Sequence, residues 1–391
     1  MNVLVLSHLY PNSVSRIYGN FVHNQLRFLR GHCRIEVVAP VPWFPLPGFG
    51  TWSEYRHVPR FEVLDGIRVR HPRRLALPRR LLFTRLWRFH LKALLRSVEK
   101  VPDLVHAHCA YPDGRAAGEY GARTGRPVVI TVHGSDIKVL PRLNPRWRQL
   151  TVEALTRAAA VIAVSHDLRK EALELGVRPD RVRCIPNGVD CRLFSGRGSR
   201  PPGEGGWRLL YVGRFVETKG LRVLLEALAR VRRHRSDVSL ALIGGHAATG
   251  AADPFLPQVR ELGLSDCVSF EDAMPWEDLP GRMAASDLFV LPSFSEGLTT
   301  SLLEAMACGL PSVVTRCGGP EEIVDDSSGR LVAVGDPEDL ASGILSLIAE
   351  YQSYDRRAIR ERTVERYDYR RVAGQIHALY EEVLAGQGSK P

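Results

Sequence analysis

Two glutamates, Glu296 and Glu304, lie eight positions apart and enclose the start of a predicted helix. Backbone N–H groups at the start of a helix attract anions, and carboxylates accept hydrogen bonds from sugar hydroxyls. The pair therefore predicts one site that holds an anionic group next to a sugar. The residues expected to contribute to this site are Glu296, Gly297, Leu298, Thr299, Thr300 and Glu304.

Two cations, Arg214 and Lys219, follow a predicted strand further upstream. Arginine presents a planar fork to phosphate oxygens and lysine presents a point charge. Gly213 is expected to permit a tight turn and Gly220 a close backbone approach. Fixed cations at this point would stabilise the charge that develops on a departing nucleotide diphosphate. Taken alone, the segment also fits an ordinary helix start with two solvated charges.

Glu304 also has a purely structural interpretation. The sequence Ser301-Leu302-Leu303-Glu304 fits a capping box, in which a glutamate three residues into a helix binds the backbone at its start. Glu296 follows Pro292-Ser293-Phe294-Ser295 on a loop at the carboxyl end of a predicted strand. Open α/β sheets bind their ligands at such ends, so the ligand-binding interpretation rests first on Glu296.

The first half of the chain supplies His133, which ends another predicted strand in Val132-His133-Gly134-Ser135-Asp136. Its imidazole could donate to a sugar hydroxyl or to a leaving phosphate, and Asp136 could cap the next helix. Gly19, on the loop after the first strand, would let that loop approach a ligand, although an ordinary helix start is equally consistent with it.

Metal-ligand spacing is absent from the sequence. His106 and His108 alternate along a predicted strand, and we expect their imidazoles on opposite faces, where they cannot chelate one ion. The seven cysteines are scattered without a CxxC pair, which favours reduced thiols and a cytoplasmic protein without structural zinc.

The elements that position these residues alternate between short apolar runs and amphipathic stretches, which is typical of parallel α/β sheets. We predict two doubly wound domains, residues 1–194 and 207–368, joined by a Gly/Pro/Ser-rich linker at 195–206. A final helix, Tyr369–Leu384, has an apolar side that must cover another surface, and the tail Ala385–Pro391 is expected to be disordered.

The 391 residues carry a formal net charge of +10, and no apolar run reaches the roughly 18 residues of a membrane span. The N-terminus predicts a first strand and not a signal peptide. The positive charge is uneven, with nine Lys/Arg and a single acid between Arg73 and Lys100. An amphipathic helix within 73–100 would suit an anionic membrane surface, or it simply packs on its own domain with solvated arginines. No recognised nucleic-acid module accompanies the charge, so we expect no nucleic-acid partner.

Together these motifs resemble the retaining glycosyltransferases of family GT4, over nearly the whole chain. Glu296-Gly297 to Glu304-Ala305-Met306-Ala307 is similar to that family's E-x7-E segment, and Gly213 to Gly220 is similar to its diphosphate motif. The blocks around His133, Asn187 and Gly318 resemble further family segments. The N-terminal loop resembles the branch that contains teichuronic-acid-type and other cell-surface polysaccharide transferases.

The resemblance implies a GT-B fold, with two Rossmann-like domains facing across a cleft, and a final helix that crosses back to the first domain. It implies that Arg214 and Lys219 bind the donor diphosphate, Glu296 the donor sugar and Glu304 the ribose. His133 would lie beside the reacting sugar, and Gly19 near the donor phosphates and the acceptor. The chain departs from the family pattern at Asn20, Thr299 and Pro320, and the first departure affects the geometry of the acceptor-side loop.

The resemblance further implies transfer of a sugar, with retention, from a UDP- or GDP-sugar to a hydroxyl acceptor. The expected acceptor is a glycan or polyprenyl-linked precursor of the cell envelope, which would bring the enzyme to the inner face of the plasma membrane. No cofactor and no metal are expected, because Arg214, Lys219 and the helix N-terminus can neutralise the diphosphate. The alternatives are a GT-B nucleotide-sugar epimerase and a non-catalytic nucleotide-sugar-binding subunit.

Overall fold

The computed structural model describes residues 1–43, 54–75, 82–198, 201–245 and 254–388. Its internal contacts divide the chain into two compact units. The first unit combines Met1–Asn187 with Tyr369–Pro391, and the second is Gly188–Asp368. Each unit is built around its own largely parallel sheet.

The first unit has an eight-stranded sheet in the order β10-β9-β8-β7-β1-β2-β5-β4, in which β4 and β5 are antiparallel and all other pairs parallel. Two further strands, β3 and β6, pair in parallel by themselves. The strands are β1 (Asn2–Leu6), β2 (Arg34–Val38), β3 (Val41–Trp43), β4 (Phe61–Leu64), β5 (Ile67–Arg70), β6 (Arg73–Leu75), β7 (Leu104–His108), β8 (Val128–Val132), β9 (Ala160–Ala163) and β10 (Val182–Cys184).

Parallel strands are normally joined by helices that cover both faces of their sheet, and in the first unit a helix follows each of β1, β7, β8 and β9. The helices of this unit are α1 (Asn20–Leu29), α2 (Leu86–Ser97), α3 (Arg115–Thr124), α4 (Leu140–Leu143), α5 (Pro145–Arg157), α6 (His166–Glu174) and, from the far end of the chain, α13 (Tyr369–Gly388). The apolar side of α13 carries Val372, Ile376 and Tyr380, all fully buried in the same core as Val22 and Leu26 of α1. The surface that the last helix covers is therefore α1 and the sheet beneath it. The helix continues to Gly388, so the prediction that it ends at Leu384 is wrong.

The second unit has a six-stranded, all-parallel sheet in the order β13-β12-β11-β14-β15-β16. Its strands are β11 (Trp207–Arg214), β12 (Val238–Gly245), β13 (Val268–Asp272), β14 (Leu288–Leu291), β15 (Ser312–Thr315) and β16 (Gly329–Val332). Its helices are α7 (Leu221–His234), α8 (Leu256–Glu261), α9 (Leu279–Ala284), α10 (Thr300–Ala307), α11 (Pro337–Ala349) and α12 (Arg356–Tyr367).

The boundary between the units differs from the predicted linker at 195–206. Residues 188–198 group with the second unit, because the guanidinium of Arg360 donates to the backbone oxygens of Cys191 and Phe194 at 2.7 and 2.6 Å. The ring of Phe194 is fully buried and lies 5.4 Å from that of Trp276. Local Gly/Pro/Ser composition does not register such contacts, which come from residues far along the chain.

Strands β3 to β6 are absent from the sequence-based prediction. Strands β4 and β5 form a hairpin whose turn is Asp65-Gly66, with φ of 46° and 76°. An Asp-Gly pair between alternating apolar residues is a strong hairpin signal, so this element could have been predicted. Across the described ranges, no helix is long and apolar enough to cross a membrane.

Candidate active site

Lys219 and Glu296 meet at the carboxyl edge of the second sheet. Lys219 follows β11, Glu296 follows β14, and these two strands are neighbours at the point where the strand order reverses. The ammonium Nζ of Lys219 donates to Oε1 of Glu296 at 2.5 Å, and both side chains are largely buried. Doubly wound sheets bind ligands at this topological switch point. The structure thus brings together two side chains that the sequence assigned to different halves of one ligand.

Gly220 allows the two loops to pack so closely. It has φ +71°, and a Cβ atom there would lie 2.0 Å from the backbone oxygen of Pro292. The backbone N–H of Phe294 donates to the oxygen of Thr218 at 3.0 Å. The close approach predicted at Gly220 is thus an approach of one loop of the protein to another.

Arg214 ends β11 and is exposed, and within the described ranges its guanidinium has no hydrogen-bond or ion-pair partner. The expected tight turn at Gly213 is wrong, because β11 continues through this residue to Arg214. Because Gly213 has no side chain, it leaves room for the hydroxyl of Tyr211, which donates to the backbone oxygen of Arg214 at 3.0 Å. The bond from Tyr211 thus fixes the backbone at the end of β11, while the exposed guanidinium of Arg214 stays available to a ligand.

Helix α10 begins at Thr300, and Thr299 is its N-cap residue without a side-chain capping bond. The hydroxyl of Thr299 is buried and has no partner among the described residues. The first backbone N–H groups of a helix also have no partner inside it. Gly297 and Leu298, which precede the cap, are buried. The helix therefore presents unsatisfied donors beside Glu296, a suitable arrangement for an anion.

Glu304 is not held by the capping box that Ser301-Leu302-Leu303-Glu304 allows. Its carboxylate oxygen Oε1 accepts from the indole Nε1–H of Trp276 at 2.6 Å, and the side chain is buried. Burial raises the pKa of Glu304 to about 7, while the bond from Trp276 opposes this rise. The carboxyl group is therefore poised between its neutral and charged forms near neutral pH.

In the first unit, His133 lies at the end of β8 and packs edge-on against Phe21, with ring centroids 4.8 Å apart. Its Nε2 is 3.1 Å from Nδ1 of His108, and its own Nδ1 is buried without a partner in the described part of the chain. Burial lowers the pKa of His133 to about 4. A neutral imidazole with one unsatisfied nitrogen can exchange a hydrogen bond with a hydroxyl, but it does not act as a cation near neutral pH.

The expectation that Asp136 caps the next helix is wrong. Its Oδ1 accepts from the backbone N–H groups of His133 and Gly134 at 3.0 and 2.9 Å, and its Oδ2 accepts from that of Ala110 at 2.9 Å. Asp136 thus ties the loops after β7 and β8 together and fixes the backbone that carries His133.

Gly19 is the N-cap residue of α1, with φ +76°. A Cβ atom there would lie 2.2 Å from the carbonyl carbon of Leu9, so the loop after β1 folds tightly against its own beginning. This close approach accounts for glycine at this position, and contact of Gly19 with a ligand stays a prediction.

The expected separation of His106 and His108 is wrong, because residues two apart on a strand share one face. Their ring centroids are 4.4 Å apart. His106 is fully satisfied by the hydroxyls of Thr131 and Tyr380, at 2.7 and 2.5 Å. Among the described residues, no group of three or more His, Cys, Asp or Glu side chains could hold a metal ion.

Sequence reasoning missed a second cluster, made of His8, His90 and Asp113. The buried carboxylate of Asp113 accepts from Nδ1 of His8 at 2.5 Å and from Nδ1 of His90 at 2.6 Å. His8 follows β1 and Asp113 follows β7, which are neighbouring strands. The rule that singled out Glu296, a polar group after the carboxyl end of a parallel strand, would also have found both residues.

Comparison with known proteins matches both halves of the chain. A family model described as Glycosyltransferase Family 4 matches residues 19–193, and one described as Glycosyl transferases group 1 matches residues 206–350. The chain is 30% identical over 360 residues to a protein of Bacillus subtilis (strain 168) named as a teichuronic acid biosynthesis glycosyltransferase, TuaC, covering 88% of each. The chain belongs to glycosyltransferase family 4.

This family-4 glycosyltransferase is also 30% identical, over 295 residues, to N-acetyl-alpha-D-glucosaminyl L-malate synthase of Bacillus anthracis, covering 72% of this chain and 75% of the synthase. Solved structures share its GT-B fold of two Rossmann-like domains. The sucrose-phosphate synthase of Thermosynechococcus elongatus superposes with TM-score 0.79 and 21% identity, covering 99% of this chain and all of that one. HepE of Anabaena, solved with UDP, gives TM-score 0.73 and 22% identity, covering 98% and 100%.

Proposed function

We propose that this glycosyltransferase moves a sugar from a nucleotide-diphospho-sugar, with the anomeric configuration retained, to a hydroxyl of the acceptor. The observation that carries the proposal is the Lys219–Glu296 pair at the switch point of the second unit, beside exposed Arg214. The start of α10, with the unpartnered hydroxyl of Thr299, supplies further donors. Cations, backbone N–H groups and a carboxylate at one sheet edge are what a diphosphate joined to a sugar requires.

The second unit would hold the donor. Arg214 and Lys219 would bind the diphosphate, Glu296 would accept from hydroxyls of the transferred sugar, and Glu304 from the ribose hydroxyls. When the donor binds, the ammonium of Lys219 would shift part of its hydrogen bonding from the Glu296 carboxylate to phosphate oxygens. The growing charge on the leaving diphosphate would then meet fixed cations and helix N–H groups, so no metal ion or other cofactor is required.

The first unit would hold the acceptor. Retention is explained by a front-face route, in which the acceptor hydroxyl attacks the anomeric carbon from the side that the diphosphate leaves. A leaving-phosphate oxygen takes the proton of that hydroxyl as the new glycosidic bond forms. His133, neutral at the pH of the cell, would accept from or donate to a sugar hydroxyl through its unsatisfied Nδ1.

The donor is proposed to be a UDP- or GDP-sugar, and the UDP bound to HepE supports the uridine alternative. The acceptor is proposed to be a glycan or polyprenyl-linked precursor of a cell-envelope polymer, as the similarity to TuaC, a teichuronic acid biosynthesis glycosyltransferase, suggests. We therefore propose a cytoplasmic location for the enzyme, since nucleotide sugars are available there.

A lipid-linked acceptor would also account for the basic segment 73–100, of which residues 76–81 lie outside the described residues. Helix α2 buries His90, Leu91 and Leu94 against its own unit. Its opposite side exposes Arg88, Phe89, Lys92, Leu95 and Arg96. Cations interspersed with exposed apolar side chains fit an anionic membrane surface. Failure of the protein to sediment with anionic liposomes at low salt would remove this part of the proposal.

Thermal stabilisation by a panel of UDP-, GDP- and ADP-sugars, without added metal, tests the donor site. We expect one nucleotide class to raise the Tm of the wild type, and Lys219→Ala to abolish the rise. Arg222→Ala, which removes an exposed cation paired with Glu217, is the matched control and should leave the rise intact. No stabilisation of folded wild-type protein by any donor would count against the proposal.

Two other functions give different results in product analysis. A nucleotide-sugar epimerase would convert the donor to another nucleotide sugar without any acceptor. A non-catalytic subunit would bind the donor and leave it unchanged. Transfer of the sugar to a glycan or lipid acceptor, with release of the nucleoside diphosphate, distinguishes the proposed activity from both.

A further inference from the structure

The first unit repeats, with different residues, the arrangement found around Lys219 and Glu296. Its strand order reverses between β1 and β7, which makes their carboxyl ends its topological switch point. His8 follows β1, Asp113 follows β7, and Nδ1 of His8 donates to Oδ2 of Asp113 at 2.5 Å. The backbone N–H of His8 donates to the same oxygen at 3.0 Å. In each unit a hydrogen-bonded pair thus spans the place where open α/β sheets bind ligands.

Asp113 is fully buried, and its charge is already shared among donors. One oxygen accepts from His8 twice, and the other accepts from Nδ1 of His90 at 2.6 Å. Burial alone would raise the pKa of Asp113, but His8 and His90 lower it below its ordinary value, so the group is a carboxylate. Because both imidazoles use Nδ1 for this bond, Nε2 of His8 is left for another partner, and the His8 side chain is 22% exposed.

Arg74 lies next to this cluster with unused donor capacity. Arg74 lies in β6, which pairs with β3. Strand β6 follows β5 and strand β3 follows β2, so this pair lies beyond the carboxyl ends of β5 and β2. The side chain of Arg74 is partly buried, and its Nε–H is buried with no partner among the described residues. Burial lowers the pKa of Arg74, while Asp113, Tyr18 and Tyr55 lie close enough to raise it electrostatically.

The charge of Arg74 has no ion-pair partner in the described ranges. The neighbouring sequence offers none either, because residues 44–53 and 76–81, which lie outside those ranges, contain no Asp or Glu. The carboxylate of Asp113 is in electrostatic range, but its oxygens are taken up by His8 and His90. A partly buried guanidinium without a carboxylate partner is costly to a protein unless an anionic ligand compensates it.

We propose that Arg74 and His8 form a subsite of the first unit that binds an oxyanion of the acceptor, a phosphate or a carboxylate. Arg74 supplies the planar fork that binds two anion oxygens at once, and Nε2 of His8 exchanges a further hydrogen bond with the same group. This inference rests on the proposed function, and it narrows the acceptor to molecules with a negative group close to the hydroxyl that receives the sugar. The alternative is that Arg74 is only a counter-charge for Asp113.

Binding of a second anion to nucleotide-loaded protein tests the subsite. UDP, or GDP if that is the nucleotide that binds, is first added to saturation, which occupies the donor site. Inorganic phosphate, glucuronate and uncharged glucose are then titrated separately by calorimetry at constant ionic strength. We expect one of the two anions to bind, glucose not to bind, and the preferred anion to show whether the acceptor group is a phosphate or a carboxylate.

The decisive variants are Arg74→Gln and its neighbour Arg73→Gln. Arg73 is exposed, and among the described residues its side chain donates only to the backbone oxygen of Arg56, at 2.6 Å, so it is a matched control on the same strand. Arg74→Gln should weaken anion binding at least about tenfold, and Arg73→Gln should leave it within about twofold. If Arg74→Gln does not fold, Arg74→Lys replaces it and should weaken phosphate binding by about threefold or more, because the fork is lost.

Three results would overturn the subsite. The first is that neither anion binds to the nucleotide-saturated wild type, and the second is that the folded Arg74 variant binds the anion as tightly as the wild type. The third is that Arg73→Gln weakens anion binding as much as the Arg74 variant does, which would indicate an effect of general surface charge. Failure of the donor site is recognised separately, because no nucleotide would then bind. The anion titration is in that case carried out on Lys219→Ala, whose donor site is disabled, and it still reports on Arg74.

Discussion

The ammonium of Lys219 lies 2.5 Å from a carboxylate oxygen of Glu296, so a residue proposed to bind phosphate is paired with one proposed to bind sugar. The pair joins loops that are 77 positions apart in the sequence and neutralises two largely buried charges. A nucleotide-sugar donor that contacts both residues would replace the Lys219–Glu296 interaction by two, one between Lys219 and phosphate and one between Glu296 and the sugar. The pair therefore keeps the site formed and at the same time stabilises the fold.

Removing both partners of this pair should destabilise the protein by less than the two single removals added together. Lys219→Ala leaves the Glu296 carboxylate, only 10% exposed, without a cation, which should cost on the order of 2 kcal/mol of unfolding free energy. The double variant Lys219→Ala/Glu296→Ala should cost less than the sum of the single changes. Urea unfolding followed by tryptophan fluorescence measures all three.

The control for this cycle is the ion pair between Arg357 and Glu361, whose side chains are 85% and 61% exposed. Arg357→Ala should leave the midpoint of urea unfolding unchanged, because an ion pair this exposed is screened by water. Strict additivity of the Lys219 and Glu296 changes would mean that the two groups do not interact in solution.

Arg214 should separate stability from catalysis. Because its guanidinium is exposed and has no partner in the described ranges, Arg214→Ala should leave the free energy of unfolding within about 0.5 kcal/mol of the wild type. Loss of a fixed cation at the leaving diphosphate should lower kcat/KM for the nucleotide sugar by about a hundredfold or more. Arg222→Ala is again the control and should keep full activity. Undiminished turnover by Arg214→Ala would remove this residue from the donor site.

Glu304 should make the stability fall as the pH rises. Burial raises its pKa from 4.5 to about 7 in the folded protein. Between these values the folded state holds a proton that the unfolded state has lost, so raising the pH through this window lowers the unfolding free energy. The full effect is about 3 kcal/mol from the size of the shift. The unfolding free energy of the wild type should therefore be lower at pH 8 than at pH 5, and this difference should be absent in Glu304→Gln.

Trp276 provides the companion test for Glu304. The indole N–H stabilises the charged carboxylate, so Trp276→Phe should raise the pKa of Glu304 further. The stability loss would then extend to higher pH than in the wild type. A pH dependence identical in the wild type and Glu304→Gln would show that Glu304 ionises normally.

Gly19 should tolerate no side chain. Gly19→Ala places a Cβ atom 2.2 Å from the backbone of Leu9 at a residue with φ +76°, which should cost at least about 2 kcal/mol of unfolding free energy. Gly118, inside α3, has open space around its missing Cβ, and Gly118→Ala should stabilise by about 0.5–1 kcal/mol through helix propensity. Thermal unfolding of both variants measures the difference. A Tm for Gly19→Ala equal to that of the wild type would contradict the tight loop.

Much of the fold could be predicted because its signals are local. The apolar runs of β1, β8 and β14 and the helical periodicity of α7 and α13 lie within single segments of the sequence. The hairpin signal at Asp65-Gly66 is equally local, although the sequence-based prediction lacks this element. The predicted linker failed for a different reason. The contacts that fix Phe194 come from Arg360 and Trp276, far along the chain.

The sequence by itself determined the two α/β domains, the family, and the residue types available at the carboxyl ends of the strands. Only the tertiary structure decided which of them meet: Glu304 with Trp276 across 28 positions, Lys219 with Glu296 across 77, and His8 with Asp113 across 105. Propensity and periodicity act within a few residues of the chain. Pairing between distant residues depends instead on the order in which strands join the sheet, because that order sets which carboxyl ends become neighbours.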